Sequence, residues 1–113
     1  MNIKKTYPEN LTNRQKYDLT MSPKTQKMSD AVGSTVEIEA WALYEDEDRE
    51  GEIREILAIR SPEGEILATN SQTFKDDFFR MVDLFGPGVS TIEVISGKSK
   101  AGRDFITCAY AGE

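Results

Sequence analysis

The stretch from Thr73 to Phe85 constrains the fold most, because it is the only convincing amphipathic helix in a chain whose second half is otherwise strand-like. Thr73 and Asp76 resemble a capping box at its start, and Gly86-Pro87 matches a helix end. Its apolar residues recur at spacings of three and four: Phe74, Phe78, Met81, Val82 and Phe85. We expect this stripe to be a core face that plugs a small β-barrel.

Three strands are predicted before this helix. Apolar and polar residues alternate strictly from Thr35 to Tyr44, which predicts one long strand with Trp41 on the face opposite Val36. An acidic turn follows, and Ile53 to Arg60 has the composition of a second strand. The turn Ser61-Pro62-Glu63-Gly64 then leads into a short third strand from Glu65 to Thr69. Together these segments predict an antiparallel meander.

Two strands are predicted after the helix. Residues 89–95 and 104–110 are rich in β-branched and aromatic residues, and turn-type residues separate them. Three cations, Lys98, Lys100 and Arg103, fall in this turn. Gly97 and Gly102 bracket it, and we expect both to supply positive φ angles. The hairpin should therefore project a cationic tip.

The resulting order, β-β-β-α-β-β, is that of an OB-fold, a five-stranded, partly open barrel with one capping helix. In such a barrel the long first strand bends to serve both halves of the sheet. A flat sheet of the same strands packed on the helix is the alternative architecture. We assign residues 22–113 to this OB-like domain, which opens with a short helix at 23–32 capped by Ser22. Residues 1–21 are predicted to be a flexible N-terminal arm, with about one helical turn around 12–19.

Charge and composition exclude several classes of protein. The net charge is −6, and residues 31–70 hold eleven acidic against three basic side chains, so the acidity is concentrated in the middle of the chain. No apolar run approaches the ~20 residues of a membrane-spanning helix, and the N-terminus lacks the apolar core of a secretory signal. We therefore expect a cytoplasmic protein. The absence of histidine removes the usual zinc sites and histidine-based catalytic arrangements.

Three features resemble catalytic or metal-binding motifs, and each has a simpler interpretation. The carboxylates of 45–50 lack the spacing of a calcium loop, which favours a solvated acidic turn. Cys108 lies in a strand without an imidazole base, which favours a small buried side chain. Residues 97–102 lack the order of a phosphate-binding loop. We expect a non-enzymatic protein that needs no metal or cofactor.

Binding of single-stranded nucleic acid suits the remaining features better. Such proteins use cations for the phosphates and aromatic faces for the bases. The cationic tip would supply the cations for the phosphates, and Lys24 and Lys27 are further candidates for such contacts. The aromatic candidates are Trp41, Tyr44 and Phe105; we favour Trp41 because Glu37 and Glu39 share its face. Core packing remains the alternative for Trp41 and Tyr44.

Several segments together resemble the small single-stranded-DNA-binding proteins of phages and mobile elements of Gram-positive bacteria. The segments are Lys27-Met-Ser-Asp-Ala-Val-Gly33, Leu43-Tyr-Glu-Asp46, Glu55-Ile-Leu-Ala-Ile59, Ala68-Thr-Asn-Ser71, Val94-Ile-Ser-Gly-Lys-Ser-Lys-Ala-Gly-Arg103 and Ile106-Thr-Cys108. The likeness covers roughly residues 11–110. It implies an OB-like domain in a bacterial host cell that coats single strands during replication or recombination, independently of sequence. Replication and recombination proteins are the partners that it implies.

A second hypothesis uses the acidic middle of the chain. The acidic face between Glu37 and Glu55 would then mimic nucleic acid or dock a basic protein, which makes the chain an adaptor. Homo-oligomerisation through an edge strand or the N-terminal arm is left open.

Overall fold

The structure, a computed structural model, describes residues 1–112, which form eight strands and two α-helices in a mainly β fold. In chain order the elements are β1 (Asn2–Tyr7), α1 (Asn13–Met21), β2 (Gln26–Lys27), a 3₁₀ helix (Met28–Ala31), β3 (Thr35–Glu37), β4 (Ala40–Glu47), β5 (Ile53–Arg60), β6 (Ile66–Thr69), α2 (Gln72–Phe85), β7 (Thr91–Lys98) and β8 (Asp104–Tyr110). Neither α-helix of the described chain has the length and apolarity needed to cross a membrane.

The strands form two sheets. The larger has the order β1-β4-β5-β6-β2, and the smaller has the order β3-β7-β8. All pairs are antiparallel except β2 with β6, which is parallel. The predicted sequence of three strands, a helix and two strands is therefore present. The sheets do not close into a barrel, because β6 and β8 belong to different sheets.

The predicted long strand beginning at Thr35 is divided between the two sheets. Its first part is β3, which pairs with β7, and its second part is β4, which pairs with β5. The break falls at Ile38 and Glu39, whose backbone N–H groups donate to Ser90 O and Arg60 O, both at 2.8 Å. The chain thus passes from one sheet to the other at this point, as a bent first strand would.

The prediction of a flexible arm at residues 1–21 is wrong. β1 pairs along β4, and α1 packs on the outer face of the larger sheet through Leu19, beside Leu11 of the segment that precedes the helix. Thr12 begins α1 with a full capping box: its Oγ1 accepts from Gln15 N at 3.1 Å, and Gln15 Oε1 accepts from Thr12 N at 2.9 Å. The predicted helical turn around residues 12–19 is confirmed as part of α1, and pairing with β4 orders residues 2–7.

The predicted helix at residues 23–32 is also wrong. Ser22 opens a turn there, with Thr25 N donating to Ser22 O at 3.2 Å, and the chain continues into β2 and the 3₁₀ helix. We call residues 26–34 the bridging segment because they join the sheets. One end pairs with β6, and the other exchanges hydrogen bonds with Val94, from Gly33 N at 2.8 Å and to Ser34 O at 3.0 Å.

The core lies between the two sheets and is filled by α2. Phe74 and Phe78 of α2 are fully buried among side chains of both sheets. The N-cap lies two residues earlier than predicted: it is Ser71, not Thr73, and its Oγ accepts from Phe74 N at 3.2 Å. Gly86 ends the helix with φ of 87°, as expected for a C-terminal glycine. Phe85 is an exception to the predicted stripe, since it is exposed.

Candidate nucleic-acid interface

A groove opens between the two sheets, at the point where they do not meet. It has a volume of about 900 Å³, and the bridging segment, the end of β6 and the start of β8 form its sides. We call it the β6–β8 groove. Its lining residues are Lys27, Met28, Ser29, Val32, Ile56, Ala68, Thr69, Asn70, Ser71, Ser96, Asp104, Phe105 and Ile106.

The lining of the groove is mostly apolar or neutral. Val32, Ile56, Phe105 and Ile106 supply apolar surface, and Lys27 and Asp104 are its only charged groups within the described chain. A ligand with flat apolar faces therefore has surfaces to pack against. Since the two lining charges cancel, the groove itself has no strong electrostatic preference.

Three neutral polar side chains in the lining have no hydrogen-bond partner among residues 1–112: Ser29, Asn70 and Ser96. Ser71, in contrast, is engaged, because its Oγ caps α2 and also donates to Ile106 O at 3.4 Å. Donors and acceptors are thus available beside apolar walls. This combination suits a nucleobase, which has apolar faces and polar edges.

Positive charge stands beside the groove, at the hairpin tip formed by residues 96–103. Lys98, Lys100 and Arg103 are exposed, and their side chains form no ion pair within the described residues. The turn below them is well bonded: Ser99 N donates to Arg103 O at 2.9 Å, and Gly102 N donates to Ser99 O at 2.9 Å. A hydrogen-bonded turn therefore holds three solvated cations next to the groove.

Phe105 is the predicted aromatic residue that reaches this site. It is half-buried, lines the groove and lies opposite Gly97 in the β7–β8 ladder. Lys27 lines the same groove from the bridging segment, while exposed Lys24 lies in the preceding turn and is not part of the lining. The structure thus brings Lys27 and Phe105 together, with the cationic tip beside them.

Trp41 and Tyr44 do not belong to this site, so their assignment as stacking residues is corrected. Trp41 is only 2% exposed, and its Nε1 donates to Pro87 O at 2.9 Å. Its ring packs edge-on against Phe78 and Phe79, at centroid distances of 5.6 and 5.4 Å. Tyr44 is 5% exposed beneath the N-terminal segment, and burial raises the pKa of its hydroxyl. Neither ring is available to a base.

The prediction of a positive φ angle at Gly97 is wrong. Gly102 has the expected positive φ, 78°, but Gly97 is not among the positive-φ glycines and is an ordinary strand residue of β7. Gly97 pairs across the hairpin with Phe105, a pairing that depends on the register of β7 and β8.

Cys108 is buried on the inner face of β8. Its Sγ lies 3.8 Å from Phe74 O, and burial raises its pKa to about 12. The thiol is therefore protonated at neutral pH, as expected for a packing residue. The acidic residues of the β4–β5 turn form no group able to hold a metal ion, and neither do other side chains of the described chain.

Comparisons with family models, curated proteins and solved structures find no match for this chain.

Proposed function

We propose that this protein binds single-stranded DNA without catalysing a reaction, holding unpaired bases in the β6–β8 groove and phosphates at the cationic tip. The observation that carries the proposal is the composition of the groove: apolar walls with Phe105, neutral polar groups without partners, and unpaired cations alongside. Bases match the apolar walls and the neutral polar groups, and phosphates match the cations.

The same composition favours single strands over duplexes. In a duplex the faces of the bases are stacked on each other, so apolar walls gain nothing from them. An unpaired base can place one face on Phe105, and such a contact contributes about 1–3 kcal/mol. Stacking and phosphate contacts do not depend on base identity, so binding should be largely independent of sequence.

An OB-like, partly open barrel is the fold that we propose for residues 22–113. Three observations support it: the order of strands and helix, the division of the first strand between both sheets, and α2 filling the space between them. In OB-folds the turn between the last two strands contacts the oligonucleotide. The β7–β8 tip is that turn, and it carries the cations.

The biological setting of the proposal rests on the resemblance to single-stranded-DNA-binding proteins of phages and mobile elements. On that basis the protein coats and protects single strands during replication or recombination in a bacterial host cell.

The adaptor hypothesis has less support, because several acidic groups in its surface already form ion pairs within the fold. Glu39 pairs with Arg60, and Asp48 pairs with Arg54 at 3.0 Å. Glu55 pairs with Lys4 at 2.6 Å and with Lys75 at 3.3 Å. These carboxylates act within the fold, which leaves fewer of them to dock a basic partner.

Fluorescence anisotropy of a labelled oligothymidine, titrated with the protein at several salt concentrations, tests the proposal. If Lys27, Lys98, Lys100 and Arg103 each neutralise one phosphate, log K should fall with log salt with a slope of about −2.8. A duplex of equal length is the control and should bind far more weakly. Flat titrations at low salt, or equal affinity for the duplex, would refute single-strand binding.

A further inference from the structure

Phe105 lies across the hairpin on Gly97. A Cβ built on Gly97 would stand 2.6 Å from Cζ of the Phe105 ring, 2.9 Å from Cε2 and 3.2 Å from Cε1. Contacts below 3.0 Å essentially do not occur for real Cβ atoms. The outer half of the ring thus occupies the space that any side chain at position 97 would need.

Glycine is not required at position 97 by the backbone. The φ of Gly97 lies outside the positive range, in contrast to Gly102 with φ of 78°. Gly97 sits inside β7, where glycine weakens a strand relative to other residues. The absence of a side chain at position 97 therefore has one structural consequence here: the Phe105 ring can pack directly against β7.

We infer that Gly97 is a positioning residue for base stacking: it seats the Phe105 ring so that the ring forms a wall of the β6–β8 groove. This inference rests on the proposed single-strand binding and adds the element that sets the orientation of the stacking surface. A side chain at position 97 would lift the ring away from the strand. The lifted ring would enter the space that a base occupies.

The test is a double-mutant cycle with Gly97→Ala and Phe105→Leu, measured by anisotropy of labelled oligothymidine. Each single variant should lose about tenfold in affinity, the size of one stacked base. The salt dependence should stay unchanged, because no cation is removed. In the Phe105→Leu background, Gly97→Ala should have no further effect on affinity, because there is no ring left to displace.

Thermal unfolding of the same four proteins separates positioning from misfolding. Gly97→Ala should be neutral or slightly stabilising once Phe105 is replaced, because alanine suits a strand better than glycine. A wild-type protein that fails to bind oligothymidine would refute the proposed function. If the wild type binds and Gly97→Ala binds equally well, or if its loss persists in the Phe105→Leu background, the positioning role alone is refuted.

Discussion

The two long hairpins of the molecule carry opposite charges and use them differently. The β4–β5 hairpin holds the acidic residues 45–55, and the β7–β8 hairpin holds the cationic tip, residues 96–103. In the acidic hairpin Asp48 organises the turn: its Oδ1 accepts from Glu50 N at 2.9 Å and from Glu52 N at 3.0 Å. At the cationic tip the charged side chains form no ion pair within the described residues.

Glu55 shows the structural use of charge best. It lies between Lys4 of β1 and the buried Lys75 of α2, which also donates to Glu55 O at 2.9 Å. One carboxylate therefore links an edge strand, a central strand and the core helix. The contrast between the hairpins teaches that sequence charge alone does not identify a binding surface. Charges left without partners by the fold are the better indicator.

The largest effect should come from Glu55→Gln, which leaves the ammonium of Lys75 buried without a carboxylate. Breaking such a pair from one side is costly, and we expect the free energy of unfolding to fall by about 2–3 kcal/mol. Urea denaturation at neutral pH measures it. Glu93→Gln is the matched control, since Glu93 is exposed and has no ion pair in the described chain, so its loss should be within ~0.5 kcal/mol.

The pH dependence of this effect follows from the pKa of Glu55. The hydrogen bond from Lys4 and the charge of Lys75 hold that pKa below its usual value of 4.5. The folded state thus favours the ionised carboxylate, so its stabilisation is complete above the unfolded-state pKa. It is lost as the pH falls through the lower folded-state pKa. Glu55→Gln should lack this part of the acid sensitivity, and an equal acid midpoint in both proteins would contradict the role of Glu55.

A second prediction concerns the cationic tip. Lys98→Ala combined with Lys100→Ala should weaken single-strand binding roughly 10- to 30-fold at 0.1 M salt and make the salt slope shallower by about 1.4. The urea midpoint should not change, because neither side chain has a partner in the described fold. Anisotropy at several salt concentrations measures both quantities. Unchanged affinity would mean that the tip is not part of the binding surface. The proposed difference between the two hairpins would then be wrong.

Local patterns predicted the elements that local interactions decide. The bounds of β5 and β8 agree with the sequence prediction, because turn residues flank both strands. The alternation from Thr35 could not reveal the break at Ile38, since the groups that accept its bonds lie on distant parts of the chain. The prediction for residues 1–21 fails for the same reason. They contain few apolar residues, and pairing with β4 orders the first of them.

Only part of the site could be predicted from the sequence, for a similar reason. Charge and turn composition located the cationic tip, but the burial of Trp41 depends on which sheet face the core covers. In β4 both faces are covered: Trp41 and Leu43 face α2 and the core, while Ala42 and Tyr44 face the N-terminal segment. A strand covered on both sides gives no alternation of burial from which exposure can be inferred. The groove itself arises from two sheets that do not meet, which no local pattern encodes.

The smallest effect should come from the acidic hairpin, through Glu47→Gln combined with Glu50→Gln. Both side chains are exposed and form no ion pair within the described chain. Glu47 pairs with Ile53, three residues along β5 from Ile56 of the groove, a separation of about 10 Å. This exceeds the Debye length of about 8 Å at 0.15 M, so affinity for oligothymidine should rise by no more than about twofold there.

At 0.01 M salt the screening length grows to about 30 Å, so the gain from the same double variant should become larger. Anisotropy at both salt concentrations, with Glu93→Gln as the matched control, measures this difference. Asp48 is left unchanged because its carboxylate holds the turn. A gain above tenfold at 0.15 M would mean that the strand passes close to the acidic hairpin. A loss of affinity would mean that these carboxylates contact the ligand, and the division of roles between the hairpins would then be wrong.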